Sequence, residues 1–337
     1  MIRRVLAALV LVVVAVILLV AVWPQVFGLQ AAPVIAQVVS LRGVDIAIAV
    51  ALALVIGVIA LAWRRARRFL GSIVALLLVF SLVSVAILGS RGFGDTAKPP
   101  SSAANVTVLS WNTKGDEPGA PAIAQLALAQ HADVVALPET TLITGKLVAR
   151  LMRAAGRPMW VYSLAYDYIS KSRSTTLLIS AALGRYSATN LSRTTAVLPT
   201  VIAKPMNGNG PTIIAVHAVS PIPREMRNWR NDLRSLAGLC SGASTIMAGD
   251  FNSTLDTLAA HSAKPGADFG KCSDAARVRH AAAVGSWPTN LPMVLGAQID
   301  HVMSTSSWKT VSMKVIGTED GSGSDHRPIV ATLAPSH

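Results

Sequence analysis

Cysteine is scarce in this chain of 337 residues: Cys240 and Cys272 are its two. That excludes a disulfide-dense scaffold and leaves two readings, one disulfide outside the cytoplasm or two buried thiols. Acidic residues are few as well, 17 against 30 Lys and Arg. In residues 1–90 Asp45 is the sole acidic side chain. No internal repeat is visible, which excludes a solenoid.

What fills residues 1–90 is three long apolar runs, 5–22, 44–63 and 70–89. Each is near the roughly 18–20 residues that cross a bilayer as a helix. Asp45 sits at the end of its run, where it can reach the interface. A cleaved signal peptide is the other reading of 5–22, with Arg3 and Arg4 as its basic flank. Against it, the run is long, Trp23-Pro24-Gln25 is a poor cleavage site, and two more runs follow. Arg3 and Arg4, then Arg64, Arg65, Arg67 and Arg68, are the basic clusters that orient such spans with positive charge inside. Three spans then put everything after residue 89 on the extracytoplasmic side. A multi-pass cell-membrane protein with an outward-facing domain is expected.

The net charge of +13 divides unevenly. Residues 91–337 hold 23 Lys and Arg against 16 Asp and Glu, a net +7. That suits an anionic substrate or an anionic membrane surface and does not by itself mean nucleic acid. Residues 91–104, rich in Gly, Pro and Ser, read as a linker, and 105–337 as one catalytic domain. In that domain 106–111, 134–137, 175–180, 212–216, 244–247, 299–303 and 329–333 read as strands. Segments 120–130, 144–155 and 224–239 read as helices, and 259–290 as a long loop with one or two helical turns. Several strands follow one another without a helix between them, which predicts mixed sheets.

Short polar motifs interrupt the apolar strands. They are Trp111-Asn112, Pro138-Glu139, Val216-His217, Gly249-Asp250-Phe251-Asn252, Ile299-Asp300-His301 and Ser324-Asp325-His326-Arg327-Pro328. Singly, Asn112 fits a turn, Glu139 a helix N-terminus, Asp250 and Asn252 an Asx turn, and His217 a structural histidine. Together they supply what phosphate-ester hydrolysis needs: charge neutralisation, an oriented water and help for the leaving oxygen. Carboxylate and amide oxygens suit a hard cation such as Mg²⁺. His217 and His326 can transfer protons, and Asp300 can orient a histidine.

These motifs resemble the endonuclease/exonuclease/phosphatase superfamily over about residues 105–334. The resemblance implies a four-layer α-β-β-α sandwich with mixed sheets, here preceded by a three-helix transmembrane segment. It also implies a Mg²⁺-dependent phosphoesterase, with Mn²⁺ as a substitute metal. It carries metal-site roles onto Asn112, Glu139 and Asp325, water activation onto Asp250, phosphate contact onto Asn252, and catalysis onto His326. Asp300 becomes the partner of His326, and His217 the second histidine. Two positions depart from the pattern: Pro138 stands where a Gln is common, and Lys114 where apurinic nucleases carry an acid. Phosphodiester hydrolysis of the nuclease type is the leading expectation for function. A phospholipid or glycolipid headgroup substrate and a catalytically inactive binding module are the alternatives. Two further features stand open. The stripe Arg224, Arg227, Arg230, Arg234 is a basic ridge or a solvated helix face, and the aromatic and basic segment 163–174 borders the cleft or is a surface loop.

Overall fold

The computed structural model describes residues 1–94, 102, 104–188 and 194–336. Most of the linker expected over 91–104 lies outside them. The chain forms two compact units, Met1–Arg91 and Gly92–His337.

In the first unit the apolar runs form helices α1 (Ile2–Val22), α3 (Arg42–Ala62) and α4 (Arg67–Arg91), with short α2 (Ile35–Ser40) between the first two. The three long ones are long and apolar enough to cross a membrane; 21 residues rise about 31 Å, the thickness of a hydrocarbon core. Small residues let the helices approach: Ala49 and Ala53 of α3 pack with Val22, Leu77 and Phe80. Most of the remaining apolar side chains, Leu9, Val12, Leu54 and Leu82 among them, face outward, as lipid-facing residues do. Arg42 Nη2 donates to Val22 O at 3.0 Å, satisfying a carbonyl at the end of α1.

The strands of the second unit, in chain order, begin with β1 (Val106–Ser110), β2 (Val134–Pro138), β3 (Met159–Ala165), β4 (Ser174–Ser180), β5 (Tyr186–Ala188) and β6 (Val201–Pro205). They continue with β7 (Thr212–His217), β8 (Thr245–Asp250), β9 (Ser273–Asp274), β10 (Asp300–Ser304), β11 (Trp308–Val315) and β12 (Ile329–Pro335). One sheet runs β11-β12-β1-β2-β4-β3 and the other β5-β6-β7-β8-β10-β9. Each sheet has one parallel pair at its centre, β1/β2 and β7/β8, and is otherwise antiparallel. Parallel neighbours need a crossover. Helix α5 (Gly119–Ala129) supplies it in the first sheet, and α7 (Met226–Leu239) in the second; α6 (Leu142–Ala154) follows β2. The single turn α8 (Leu255–Leu258) precedes the segment expected as a long loop, and the single turn α9 (Ala275–Val278) lies in it.

The period of two along each strand builds the layers. Val108, Val134, Ala136, Leu177 and Ile179 turn towards Ala203, Ile213, Ala215, Ile246 and Val302 of the other sheet. Their neighbours Leu109, Val135, Leu137 and Leu178 turn the other way, onto Ile123, Ala127, Val148 and Met152 of α5 and α6. Helix α7 buries Trp229, Leu233 and Leu236. The expected α-β-β-α sandwich with mixed sheets is the fold observed.

Strands β3, β5, β6, β9 and β11 go beyond the sequence reading. β11 carries a register shift between Thr310 and Ser312 that breaks its alternation. β3 is an edge strand with mostly half-buried residues, and its end takes part of the segment read as a loop over 163–174. Cys240, just after α7, and Cys272, just before β9, are disulfide-bonded with Cα atoms 5.8 Å apart. Of the two readings for the cysteines, the disulfide is the one observed.

Candidate active site

Strand register gathers the polar residues at one end of the sandwich. His217 lies opposite Asp250 in the parallel pair β7/β8, and Asp300 lies opposite Asp250 in the antiparallel pair β8/β10. In the first sheet Ser110 pairs with both Ala136 and Ile329. The residues just past these positions, Asn112, Glu139, Asp325 and His326, therefore leave at a common end.

Local backbone chemistry then aims the side chains. Glu139 and Asn252 adopt left-handed φ of 56° and 46°, an uncommon state for residues with a Cβ. Thr113 Oγ1 donates to Glu139 O at 2.9 Å, and the Thr113 and Thr140 hydroxyls lie 2.8 Å apart, tying the β1 and β2 exits together. Glu139 is not a helix N-terminal carboxylate: α6 starts at Leu142 and is capped by Thr141. Gly249, with φ of 149°, is required by the neighbouring strand. A Cβ there would sit 2.0 Å from Val216 O. The β7 backbone thus makes the close approach at this glycine.

Hydrogen bonds link the two sheets. Asn112 Nδ2 lies 3.1 Å from both Glu139 Oε1 and Asp250 Oδ2. Asn252 donates its backbone N–H to Asp250 Oδ1 at 2.7 Å, and its amide to Asp250 Oδ2 at 3.0 Å and Ala218 O at 2.9 Å. Its amide thus faces inward and holds Asp250. His326 Nδ1 lies 2.8 Å from Asp300 Oδ2, and His326 Nε2 lies 3.8 Å from Asp250 Oδ2. His217 Nδ1 is 3.3 Å from Thr175 Oγ1; its Nε2 has no hydrogen-bond partner and lies 3.8 Å from Glu139 Oε1. Asp325 is half-buried and accepts from Trp287 Nε1 at 3.3 Å.

Burial sets the protonation states. It pushes Asp250 up to about 7, against the pull of His326. It also raises Glu139, opposed first by the Asn112 hydrogen bond. It lowers His217 to about 3, with the charge of His326 adding to the effect. For His326, burial disfavours the imidazolium, but Asp300 and Asp250 outweigh it and raise the group to about 10. The pocket thus holds one neutral and one charged imidazole. Asp300 Oδ1 is buried and unpartnered. Asp250, Asp300 and His326 offer ligand atoms within 4.8 Å of one another, close enough to hold a metal ion.

Several supporting residues were not assigned roles from sequence. Ser324 Oγ donates to Asn112 O at 2.7 Å and accepts from His326 N–H at 3.0 Å. Trp111 Nε1 donates to His326 O at 3.0 Å. Buried Arg327 forks onto Asp320 with two 2.7 Å bonds and reaches the carbonyls of Pro288, Thr289 and Leu291. That fixes the loop presenting Trp287 to Asp325. Ser324 and Arg327 lie inside the quoted motif, whereas nothing local marks Thr175 or Trp287. Lys114 is exposed. Of the arginine stripe, Arg224 precedes α7 and faces Glu225 at 3.9 Å, and Arg234 on α7 donates to Asn231 at 3.0 Å, local contacts as on a solvated face.

The sequence model of the Endonuclease/Exonuclease/phosphatase family matches residues 109–326. No curated protein matches the chain. Among solved structures, an endonuclease/exonuclease/phosphatase from Beutenbergia cavernae aligns at 18% identity and TM-score 0.52, over 69% of this chain and 72% of that one. A humanized D. rerio TDP2 aligns at 17% identity and TM-score 0.54, over 68% of this chain and 99% of that one. D. rerio TDP2 complexed with single strand DNA product gives 17% identity and TM-score 0.52 over the same shares. At these identities the likeness is one of fold.

His301 supports the site from behind. Fully buried, it lies 2.7 Å from Asp274 Oδ2 through Nδ1 and 2.8 Å from Ser253 O through Nε2. Two acceptors require a doubly protonated ring. Burial opposes that charge, but Asp274, the Ser253 carbonyl and Asp300 together outweigh it and raise the group. A raised folded value means that the contribution to stability is complete below the ordinary value near 6.5 and is lost as pH climbs through the folded one. His301→Gln should therefore cost about 3 kcal/mol at pH 6 and less at pH 9, read as unfolding midpoints of the full chain in detergent. An equal cost at both pH values would contradict the charged pair.

Proposed function

The chain belongs to the endonuclease/exonuclease/phosphatase family, and from that membership we propose a metal-dependent phosphodiester hydrolase anchored in a membrane with its catalytic unit facing out. Phosphoester hydrolysis is the activity of the family. The observation that carries the finer reading is the Asn112 amide between Glu139 and Asp250, next to the His326–Asp300 pair.

A hard divalent cation fits this site by its donor chemistry. Glu139 and Asp325 offer carboxylate oxygens, which Mg²⁺ or Mn²⁺ prefers, whereas the Asn112 oxygen expected as a ligand accepts from Lys114 N–H at 3.0 Å and its NH2 holds Glu139 and Asp250. Burial raises Glu139 and the nearby Asp325 carboxylate adds to that rise; a cation would relieve both. Asp250, Asp300 and His326 form a rival set. There a cation would displace the proton between His326 and Asp300, so we assign the metal to Glu139 and Asp325, with Asn112 orienting Glu139. When bound, such an ion supplies positive charge to phosphoryl oxygens and makes a water more acidic.

The chain's own groups supply the rest. Asp250, fixed by Asn252, accepts a proton from the attacking water. His326, kept charged and aligned by Asp300, turns Nε2–H towards developing negative charge on the phosphoryl or leaving oxygen. Neutral His217 presents Nε2 beside Glu139 as a further phosphate contact. D. rerio TDP2, of like fold, is complexed with single strand DNA product, which supports a phosphodiester as substrate. Nucleic acid and lipid headgroup both qualify.

The outward orientation rests on the arginine clusters before the first apolar run and between the second and third, and on the disulfide, which suits an oxidising compartment. An alkaline phosphatase fusion at Ser102 should be active and one at Arg67 inactive; the reverse pattern would invert the orientation.

Purified full-length protein in detergent should hydrolyse bis-p-nitrophenyl phosphate with Mg²⁺ and stop on adding EDTA. Asp250→Asn and His326→Gln should each lower kcat on the order of 10³-fold. Turnover that survives both substitutions would sink this assignment.

A further inference from the structure

Tyr168 and Ile169 are 96% and 94% exposed, the two highest values among the large apolar side chains described in the second unit, and they are adjacent, whereas exposed apolar residues are ordinarily scattered singly. They sit on the loop between β3 and β4. Ala165 pairs with Ser174, and Pro138 with Thr175, so this loop leaves the sheet at the same end as Glu139. It also touches the rim of the site. Lys171 Nζ lies 3.8 Å from Asp116 Oδ2, and Asp116 N–H donates to Glu139 O at 3.2 Å.

The exposure is held by a built turn. Asp167 Oδ1 accepts from Ile169 N–H at 2.8 Å and Ser170 N–H at 3.4 Å, and Asp167 Oδ2 faces Arg173 Nη1 at 3.8 Å. Tyr166 N–H donates to Arg173 O at 2.9 Å, and the Tyr166 hydroxyl donates to Thr195 O at 3.1 Å. The backbone therefore pushes an aromatic with a polar tip and a branched aliphatic outward side by side. Lys171 and Arg173 flank them, with Lys114 exposed on the same rim. An apolar tip with a cationic collar matches a bilayer interface, where apolar groups enter the acyl boundary and cations meet anionic headgroups. The same chain carries three helices able to span a membrane, so a lipid surface is within its reach.

We propose that the Tyr168 and Ile169 tip inserts into the interfacial layer of a lipid bilayer. The site is thereby presented to a phosphodiester carried by a lipid headgroup. This deepens the reading of the site as a phosphodiesterase and rests on it for the substrate class.

The test uses full-length protein with Ile169→Cys labelled by the fluorophore NBD; Cys240 and Cys272 are bonded to each other and leave no competing thiol. The protein is reconstituted into phosphatidylcholine vesicles containing a minority of phosphatidylglycerol. NBD at 169 should shift to the blue and be quenched by spin labels on the lipid chains. NBD at Asn209→Cys, on a loop at the opposite end of β7, should do neither. Tyr168→Asp in the labelled protein should reduce the quenching about twofold or more. Water-like emission at 169, or a shift produced by single-stranded oligonucleotide and not by lipid, would overturn the proposal. Hydrolysis of bis-p-nitrophenyl phosphate by the same preparation separates the two ideas. Its absence would count against the site reading, whatever the label reports.

Discussion

The site depends on one side chain that joins the two sheets. The amide of Asn112, from the exit of β1, donates at 3.1 Å to Glu139 of its own sheet and to Asp250 of the other. Without it, two carboxylates from different sheets would face each other in a buried space, at a cost of several kcal/mol. His326 eases the same tension from the other side, held between Asp300 and Asp250. The sandwich can thus keep acidic groups at its joined strand ends only because donors and a positive imidazole are built in among them. A cation beside Glu139 and Asp325 completes this logic in the proposed enzyme.

The strands most readable from sequence are those that place the site. β1, β2, β7, β8, β10 and β12 are central and buried, so their apolar runs stand out, and each has a polar site residue at, or within three residues of, one end. The edge and bulged strands β3, β5, β9 and β11 were not legible because their residues are half-exposed, few or out of phase. Asp250 and His326 could be picked out because each stands in a motif that breaks an apolar run. Thr175 and Trp287 could not, since their contacts with His217 and Asp325 join positions 42 and 38 residues apart. Asn252 shows the limit of motif reading. Its presence near Asp250 was foreseen, but the direction of its amide, back onto Asp250 and Ala218, is a matter of a left-handed backbone.

The catalytic unit and the helical unit answer to different solvents. Outward-facing Leu9 and Val12 in the helices suit lipid, whereas Tyr168 and Ile169 are the two most exposed large apolar side chains among the described residues of the other unit. The basic excess of that unit follows the same division, with Lys114, Lys171 and Arg173 around the mouth of the site. An anionic phosphodiester at a membrane surface would meet positive charge first and the Asn112–Asp250 cluster next.

The proposed enzyme holds its divalent cation on carboxylate oxygens rather than on imidazole. Pulsed electron paramagnetic resonance of Mn²⁺ bound to the full-length protein tests this most directly. The account predicts stoichiometric Mn²⁺ with no directly coordinated histidine nitrogen, and weaker binding in Glu139→Gln. A strong ¹⁴N coupling that vanishes in His326→Gln would put the ion on Asp250, Asp300 and His326 and contradict the account.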